Sequence, residues 1–409
     1  ASSINGTVQS SIPKANLYLI NPSGIVFGPN ATINVSGSFH ASTADYLKLS
    51  DGAKFQATNP SGSTFSATAP AAFGFLNAAP PAIAVIGSAL TVASGQTLGL
   101  AGGPVSLTGA ALRAPGGRIH VTGVASTGEV PVAPGNRSTV GALAAVTITG
   151  SVLDVGDPTA ANPGGSLHVR AGTLTVDNSD LGADNYATGS GGVLSLSATS
   201  QMSLLDGADI HAATFSPGNG ANLVLRTGPG GAIVIDDSFV GVGSVGSGNA
   251  GRLSIAGGQL TLQNQATIEG AAFFGGAGGE IDIKLTGALT MSGSSAILSE
   301  ADGTGNGAPI SITADTILLD GSLDQNGATG INSSTSGSGP AAGRGGDVTI
   351  ADATSLSVTN AALISTTTTA TGGSGGAAGN VTIAGGALLL AGGASVTSVT
   401  QGIGAGGAI

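Results

Sequence analysis

Carboxylates and a histidine that lie close together in the sequence are the residues best suited to chemistry in this chain. Asp209 lies two residues before His211, and Asp236 and Asp237 are adjacent. Glycan-cleaving enzymes use such carboxylates as general acid, general base or nucleophile. Asp209 and Asp237 are one repeat apart (237 − 209 = 28), so stacked repeats could bring them together. Asp209, Asp236 and Asp237 are therefore the weak candidates for a catalytic site.

The alternative is that these carboxylates are solvated groups on strand faces and turns, and the composition favours it. Clefts that cleave glycans also need aromatic platforms, whereas this chain has no Trp and only 3 Tyr. A further charged group, Glu280 with Asp282 and Lys284, belongs to no recognisable catalytic pattern. The sequence predicts that the protein is not an enzyme.

Metal and cofactor sites receive little support. The histidines are separated in sequence without metal-ligand spacing, and three of them occupy the polar position of an alternating segment; they are His40, His120, His168 and His211. Cysteine is absent, so there are neither disulfides nor thiolate ligands. Gly343–Asp347 resembles one unit of a calcium-binding β-roll, but no tandem array follows. We expect no metal and no cofactor, with calcium left open.

The composition of the chain limits the kinds of partner that it can bind. The 409 residues carry 11 Lys and Arg against 22 Asp and Glu, a net charge of −11, and the basic residues are scattered singly. This composition argues against nucleic acid as a ligand. The chain contains no apolar run of about 18 residues, so no membrane span is expected.

A short phrase recurs through the second half of the chain: a glycine or another small residue, then an apolar-polar-apolar strand. Its first apolar positions are Leu167, Leu194, Leu223, Leu253, Ile281, Ile310, Val348 and Val381. Most of the spacings are close to 28 residues, and the interval from Ile310 to Val348 is longer (348 − 310 = 38). A fixed period of this length is the signature of stacked repeats.

Each repeat contains two further short apolar segments, joined by glycine-rich hinges. Alternation with period two indicates strands with one buried face, and stacking of such coils buries an apolar surface that one coil cannot bury alone. We predict an all-β fold: a right-handed parallel β-helix, or β-solenoid, with about three short strands per coil. Gly/Ser-rich loops are expected along one side, in the tracts Tyr186–Gly192, Thr214–Ala221, Gly241–Gly251, Thr329–Gly346 and Thr366–Gly379. Disorder is the less favoured alternative, because the apolar residues are phased.

The first fifty residues carry a more specific pattern. The segment from Asn16 to Ala31 reads Asn-Leu-Tyr-Leu-Ile-Asn-Pro-Ser-Gly-Ile-Val-Phe-Gly-Pro-Asn-Ala, and Gly-Ser-Phe-His-Ala-Ser-Thr-Ala-Asp follows from Gly37. Both segments resemble the secretion domain of filamentous-haemagglutinin-type exoproteins of two-partner secretion. The family's Asn-Pro-Asn-Gly-Ile motif matches Asn21, Pro22, Ser23, Gly24 and Ile25, with Ser23 replacing the second asparagine.

The resemblance and the repeat period together imply a domain organisation. Residues 1–125 would be a partial two-partner-secretion domain, truncated at its N-terminus, with an excursion outside the helix at 51–81. Residues 126–165 would be a transition, and residues 166–409 would be β-helical repeats of about 28 residues.

The resemblance also implies a function. The protein would be exported by an outer-membrane transporter of a Gram-negative bacterium and act at the outer cell surface or outside the cell. There it would serve as an adhesin or biofilm rod that contacts glycans or proteins of host or neighbouring cells. The alternatives are a filament subunit that stacks head to tail and, less favoured, a polysaccharide lyase or hydrolase.

Overall fold

A computed structural model describes residues 1–133, 138–336, 343–369, 376–401 and 404–409. The described residues form strands joined by turns and loops, with two single-turn 3₁₀ helices at Pro60–Gly62 and Gly321–Leu323. In chain order the strands are β1 (Ser2–Ile4), β2 (Thr7–Gln9), β3 (Leu17–Ile20), β4 (Ile25–Phe27), β5 (Thr32–Asn34), β6 (Phe39–Ser42), β7 (Tyr46–Leu49), β8 (Lys54–Gln56), β9 (Pro70–Phe75), β10 (Ile83–Ile86), β11 (Ala89–Thr91), β12 (Thr97–Gly102), β13 (Val105–Thr108), β14 (Ala111–Arg113), β15 (Arg118–Gly123), β16 (Gly128–Pro131), β17 (Val146–Thr149), β18 (Val152–Asp154), β19 (Ser166–Asp177), β20 (Asp180–Gly182), β21 (Val193–Leu205), β22 (Asp209–Thr214), β23 (Asn222–Arg226), β24 (Ala232–Asp236), β25 (Phe239–Ser244), β26 (Leu253–Gly257), β27 (Gln259–Gln263), β28 (Thr267–Ala272), β29 (Ile281–Leu285), β30 (Ala288–Ser292), β31 (Ala296–Ala301), β32 (Ile310–Thr313), β33 (Thr316–Asp320), β34 (Gly330–Thr335), β35 (Val348–Thr359), β36 (Leu363–Thr368), β37 (Val381–Ala391) and β38 (Ser395–Thr400).

These strands wind into a coil with three parallel faces. Face A runs from β3 and β6 through β12, β15 and β23 to β32, and face B runs from β1 and β4 through β10, β13 and β24 to β33. The long strands β19, β21, β35 and β37 bend from face A into face B. Face C is an 11-stranded parallel sheet from β11 to β38, preceded by the pair β2–β5. This architecture confirms the predicted all-β solenoid and is consistent with a right-handed parallel β-helix.

The recurring phrase in the sequence is face A, because its apolar residues stack in one continuous column. From the first rung to the last the column reads Leu17, Phe39, Leu98, Ile119, Leu167, Leu194, Leu223, Leu253, Ile281, Ile310, Val348 and Val381. Most of these side chains are fully buried in a single elongated core. Burial of such aliphatic side chains stabilises each rung by roughly 1.5–3 kcal/mol per residue, which explains why rungs form only when stacked.

The corner between faces B and C is a short turn in which one or two residues adopt the left-handed (positive φ) backbone conformation. Residues with positive φ recur there on most rungs: Gly87, Gly109, Gly150, Asn178, Asp206, Asp237, Asn264, Gly293, Asn360 and Gly392. Glycine and asparagine adopt this conformation at little cost. Buried serines complete the corner, since the Ser179 hydroxyl donates to the carbonyl of Asp177 at 2.7 Å and accepts the Ser151 N–H at 3.0 Å.

The Gly/Ser-rich loops join face C to face A on successive rungs, as the predicted one-sided loops require. Parts of two predicted tracts, 337–342 and 370–375, lie outside the described residues. Parts of the predicted tracts are strand rather than loop: Gly241–Ser244 continues β25, Gly330–Thr335 is β34, and Thr366–Thr368 ends β36. Much of the extra length between Ile310 and Val348 lies at 321–329, in the corner between faces B and C.

A second, antiparallel sheet lies outside the helix, in the strand order β16-β9-β7-β8. The predicted excursion at 51–81 supplies β8 and β9, the preceding segment supplies β7, and a later coil supplies β16, which pairs with β9. Phe73, Phe75 and Val130 of this sheet pack with Ala101 and Val124 of the coil in a small separate core. The antiparallel sheet therefore covers part of the outer surface of face A.

The last described rung differs from those before it in exposure. Beyond Val381, most of β37 is exposed, and Leu388 and Leu389 are 50% and 52% exposed. Among the described residues, no helix has the length and apolar character that crossing a membrane requires.

Candidate functional site

The Asn21–Ile25 motif forms the turn between β3 and β4. The Asn21 carbonyl accepts the Gly24 N–H at 3.1 Å, and the Asn21 Oδ1 accepts the Ser23 N–H at 2.8 Å. This is a β-turn reinforced by an Asx-turn, and glycine suits its last position because φ of Gly24 is +104°. The Asn21 Nδ2 then donates to the Ser2 Oγ on the preceding rung at 2.7 Å.

The same motif places two of its residues in different environments. Ile25 is fully buried in the main core, whereas Ser23 is exposed at the tip of the turn. The departure from the family motif at Ser23 therefore falls on an outward-facing position. The motif combines a fixed backbone geometry with a small exposed tip, which suits recognition by another protein.

Three of the four histidines lie in one outward-facing column of face A, although they are far apart in sequence. The column runs Tyr18, His40, Gly99, His120 and His168, each the register partner of the next. The rings of His120 and His168 have centroids 5.1 Å apart. Sequence reasoning missed this column because the antiparallel sheet interrupts the repeat period between its members.

The environment of this column disfavours positive charge. Burial lowers the pKa of His40 to about 4, and burial together with the neighbouring His168, His40 and Arg118 lowers the pKa of His120 to about 3. Burial also lowers the pKa of His168. The Nε2 of His120 is buried without a hydrogen-bond partner among the described residues. At neutral pH these three side chains are uncharged.

The fourth histidine, His211, lies on the outer surface of face C among carboxylates. Its Nδ1 is 3.3 Å from Asp209 and 3.6 Å from Asp180, and its Nε2 is 3.6 Å from Asp184. Burial alone would lower the pKa of His211, but Asp184 and Asp209 outweigh it and raise the pKa to about 10. His211 is therefore an imidazolium held by three aspartates, two of which, Asp180 and Asp184, were not singled out from the sequence.

The candidate carboxylates do not form a common site. Asp209 pairs in register with Phe239, so the 28-residue interval does not place Asp237 beside it. Asp237 occupies the left-handed corner with φ of 45°, and its carbonyl accepts the Gly207 N–H at 2.7 Å. Asp236 accepts hydrogen bonds from Gln263 at 2.8 Å and Asn264 at 2.7 Å. The last two aspartates thus support the corner of the coil.

The group at Glu280, Asp282 and Lys284 is ion-paired on face A. Arg252 lies 3.1 Å from Glu280 and 2.6 Å from Asp282, and Lys284 also lies 2.6 Å from Asp282. Burial alone would raise the pKa of Asp282, but the two cations outweigh it and lower that pKa. A firmly ionised, paired carboxylate of this kind is poorly suited to transferring protons at neutral pH.

Beside this group runs an open polar groove of about 470 Å³ along the corner between faces C and A. The Oδ1 atoms of Asn219, Asn222 and Asn249 accept backbone N–H groups of the next coil at 2.9–3.2 Å. Because each amide oxygen is occupied in this way, the amide nitrogens remain available as donors along the groove.

A smaller, apolar depression of about 120 Å³ lies on the outer surface of face C. We call it the face C trough. Gly243 forms its floor between Ala213 and Ala271, with Phe239, Val245 and Phe273 around it. Sequence reasoning missed the trough because it assigned Gly241–Gly251 to a loop. The signal that could have found it was a phenylalanine two residues before Gly241 on a glycine-rich strand.

Among the described residues, no group of three or more His, Asp and Glu side chains has a geometry that could hold a metal ion. Gly343–Asp347, the single calcium-like unit, places Arg344 3.0 Å from the carboxylate of Asp347.

Comparison with known families adds one finding. Residues 1–169 match the TPS secretion domain. The matched segment includes the Asn21–Ile25 turn, the antiparallel sheet and the histidine column through His168. Searches of the curated proteins and of the solved structures give no significant match.

Proposed function

Because residues 1–169 are a TPS secretion domain, the chain is a two-partner-secretion exoprotein of the filamentous haemagglutinin type, and we propose that it works outside the cell as an adhesive rod. The domain implies a partner transporter and export across the outer membrane of a Gram-negative bacterium. An adhesive role at the outer cell surface, in attachment or biofilm, is the function that the remaining geometry supports best.

The observation that carries this proposal is the unbroken coil that follows the secretion domain. Parallel rungs lie about 4.8 Å apart, so the thirteen or so rungs of the described residues extend over roughly 60 Å. The loops between faces C and A emerge on one side along this length. Weak contacts of repeated loops with surface glycans or proteins would add up by avidity, as multivalent binding requires.

A non-catalytic role forms part of the proposal. Asp236 and Asp237 support the corner of the coil, and Asp209 is ion-paired with His211. An acid–base pair for glycan cleavage needs two carboxylates that flank one bond. The placement of these three aspartates supports binding rather than cleavage.

Export can be tested on the turn motif. We would direct the chain to the periplasm with its partner transporter and measure the protein released into the medium. Asn21→Ala removes the acceptor for Ser23 N–H and the donor to Ser2, so release should fall several-fold. The matched control is Asn306→Ala, which removes a similar bond to Arg344 N–H far outside the secretion domain. Equal release of both variants would contradict a role of the motif in export.

Adhesion can be tested on the purified chain. Beads carrying many copies should attach to cell surfaces or immobilised surface glycans, and attachment should rise steeply with the density of copies. Turnover of those glycans, seen as released fragments, would instead support the enzyme alternative. Absence of attachment at every density would contradict the adhesive proposal.

A further inference from the structure

The face C trough has the shape of a receptor for one unbranched side chain. An added Cβ at Gly243 would meet no other atom within 4 Å, so the floor is open space rather than a packed contact. By contrast, a Cβ at Gly241 would lie 2.3 Å from the Phe239 ring, so this ring occupies the space over Gly241. Phe239 thus forms one wall, and Val245 and the 40%-exposed Phe273 form the other.

Carboxylates lie at both ends of the trough along the coil. Its upper end faces the following rungs, and its lower end faces the preceding rung. At the upper end Glu269 lies in the lining, and Glu300 is the register partner of Ala271 on the next rung, followed by Asp302. At the lower end His211 is positive, but Asp180, Asp184 and Asp209 over-compensate its charge.

Among the described residues, none of the upper carboxylates, Glu269, Glu300 and Asp302, makes an ion pair within 4 Å. Burial and the neighbouring Glu300 and Asp302 raise the pKa of Glu269 to about 7, and burial and Asp302 raise the pKa of Glu300. The carboxyl group of Glu269 thus lies beside an apolar surface without a cationic side chain of the described residues to pair with it. Such an arrangement complements a cation.

We propose that the face C trough binds a protonated alkyl amine, the side chain of a lysine presented by a partner protein. The aliphatic stem would lie on Gly243 between Phe239 and Phe273, and the ammonium group would reach Glu269 and Glu300. Long basic side chains bury their methylenes on apolar surface while the charged head stays at a polar edge. Aromatic rings attract cations as well.

Charge at two levels favours this occupant over a neutral one. The chain as a whole carries a net charge of −11, which steers cationic partners toward it. Locally, the approach of an ammonium group would favour the ionised form of Glu269, so binding would release a proton near neutral pH. The inference deepens the proposed adhesive role, on which its biological meaning rests, by naming one chemical feature of the partner.

The probe for the test is Nα-acetyl-lysine N-methylamide, titrated into the full chain and followed by NMR. The matched neutral probe is Nα-acetyl-norleucine N-methylamide, which keeps the stem and lacks the ammonium group. We expect saturable binding of the lysine probe and at least several-fold weaker binding of the norleucine probe. Affinity for the lysine probe should rise by up to about tenfold from pH 6 to pH 8, as Glu269 ionises with its pKa of about 7.

Three variants locate the binding. Gly243→Leu fills the floor without a steric obstacle and should abolish binding, and Gly243→Ala should weaken it if the larger variant does not fold. Glu269→Gln should weaken binding several-fold and remove most of the pH dependence. Asp51→Asn removes the same charge from a fully exposed turn of the antiparallel sheet and should leave binding unchanged.

Two outcomes would overturn the inference. If both probes bind equally, the carboxylates play no part. If Gly243→Leu and Asp51→Asn bind the lysine probe as the parent does, the amine binds to the acidic surface at large. Neither result would bear on bead attachment or on export, so failure of the trough and failure of the proposed function are distinguishable.

Discussion

Tyr18 and His40 stack face to face on adjacent rungs, with ring centroids 4.9 Å apart and ring planes 6° apart. Phe73 of the antiparallel sheet lies against both rings, at 6.4 Å from Tyr18 and 6.3 Å from His40. This contact joins the outer sheet to the coil and buries the imidazole of His40. The protonated form of that imidazole is destabilised there. The secretion domain therefore has a built-in sensitivity to acid.

Acidification should destabilise residues 1–169 first. The pKa of His40 is lowered to about 4 and that of His120 to about 3, whereas a histidine in the unfolded chain titrates near 6.5. The unfolded chain therefore takes up protons first as pH falls, and stability is lost from about pH 6.5 downward. We expect a loss on the order of 1–2 kcal/mol per histidine at pH 5 relative to pH 7.

Hydrogen exchange at pH 7 and pH 5 would measure this effect rung by rung. Protection factors, which correct for the slower intrinsic exchange at pH 5, should fall on the rungs of His40, His120 and His168, and His120→Gln should reduce this fall. A uniform fall in protection along the whole coil would contradict the assignment to the histidine column.

Gly99→Ala should destabilise the same region through its size alone. Its Cβ would lie 2.4 Å from the Nδ1 of His40, whose ring is already held by Tyr18 and Phe73. Overpacking of this kind costs about 1–3 kcal/mol. The matched control is Gly243→Ala, where the new methyl group has open space and the variant should be neutral or slightly more stable. Denaturant melts of both variants would decide the matter, and equal midpoints would contradict the packing argument.

Removal of the His211 charge should destabilise face C at neutral pH but not at high pH. The pKa of His211 is raised to about 10, so its contribution is fully present below about pH 6.5 and is lost as pH rises through 10. His211→Gln should therefore lower the melting temperature at pH 6 and match the parent above pH 10. A difference of equal size at both pH values would show that the effect is packing rather than charge.

Glu269→Gln should stabilise the protein above neutral pH. The folded chain holds the pKa of Glu269 near 7, well above its ordinary value, so ionisation opposes folding as pH rises from about 4.5 to 7. The isosteric amide removes this penalty, which we estimate at roughly 1–2 kcal/mol after allowance for partial exposure. Parent and variant should melt alike near pH 4, and a parent more stable than the variant at pH 8 would contradict the expectation.

The coil could be predicted from the sequence because every rung repeats one local pattern. The positions Leu167, Leu194 and Leu223 differ little in spacing, and their stacking needs no knowledge of distant residues. The turn chemistry of Asn21–Ile25 was equally local. Fold and family were therefore accessible from short segments.

The surfaces could not be predicted, because they depend on register between rungs. Asp209 lies opposite Phe239 instead of Asp237 because the interval between these two rungs is 30 residues (239 − 209 = 30) rather than 28. His120 and His168 meet only because the coil between them carries β16 to β18 and the long loop beyond. Such offsets come from loop lengths whose effect on alignment the sequence does not reveal.

The corner between faces B and C has a practical consequence for engineering. Most rungs turn there with two or three residues, yet one rung accommodates 321–329 and the chain resumes pairing at Gly330 in register with Ala296. Asp324 closes the longer segment by accepting the Ser294 N–H at 2.7 Å and the Thr329 N–H at 2.6 Å. A peptide epitope grafted between Asp324 and Thr329 would thus be displayed without shifting the rungs on either side. The coil would then serve as a display scaffold with this segment as its insertion site.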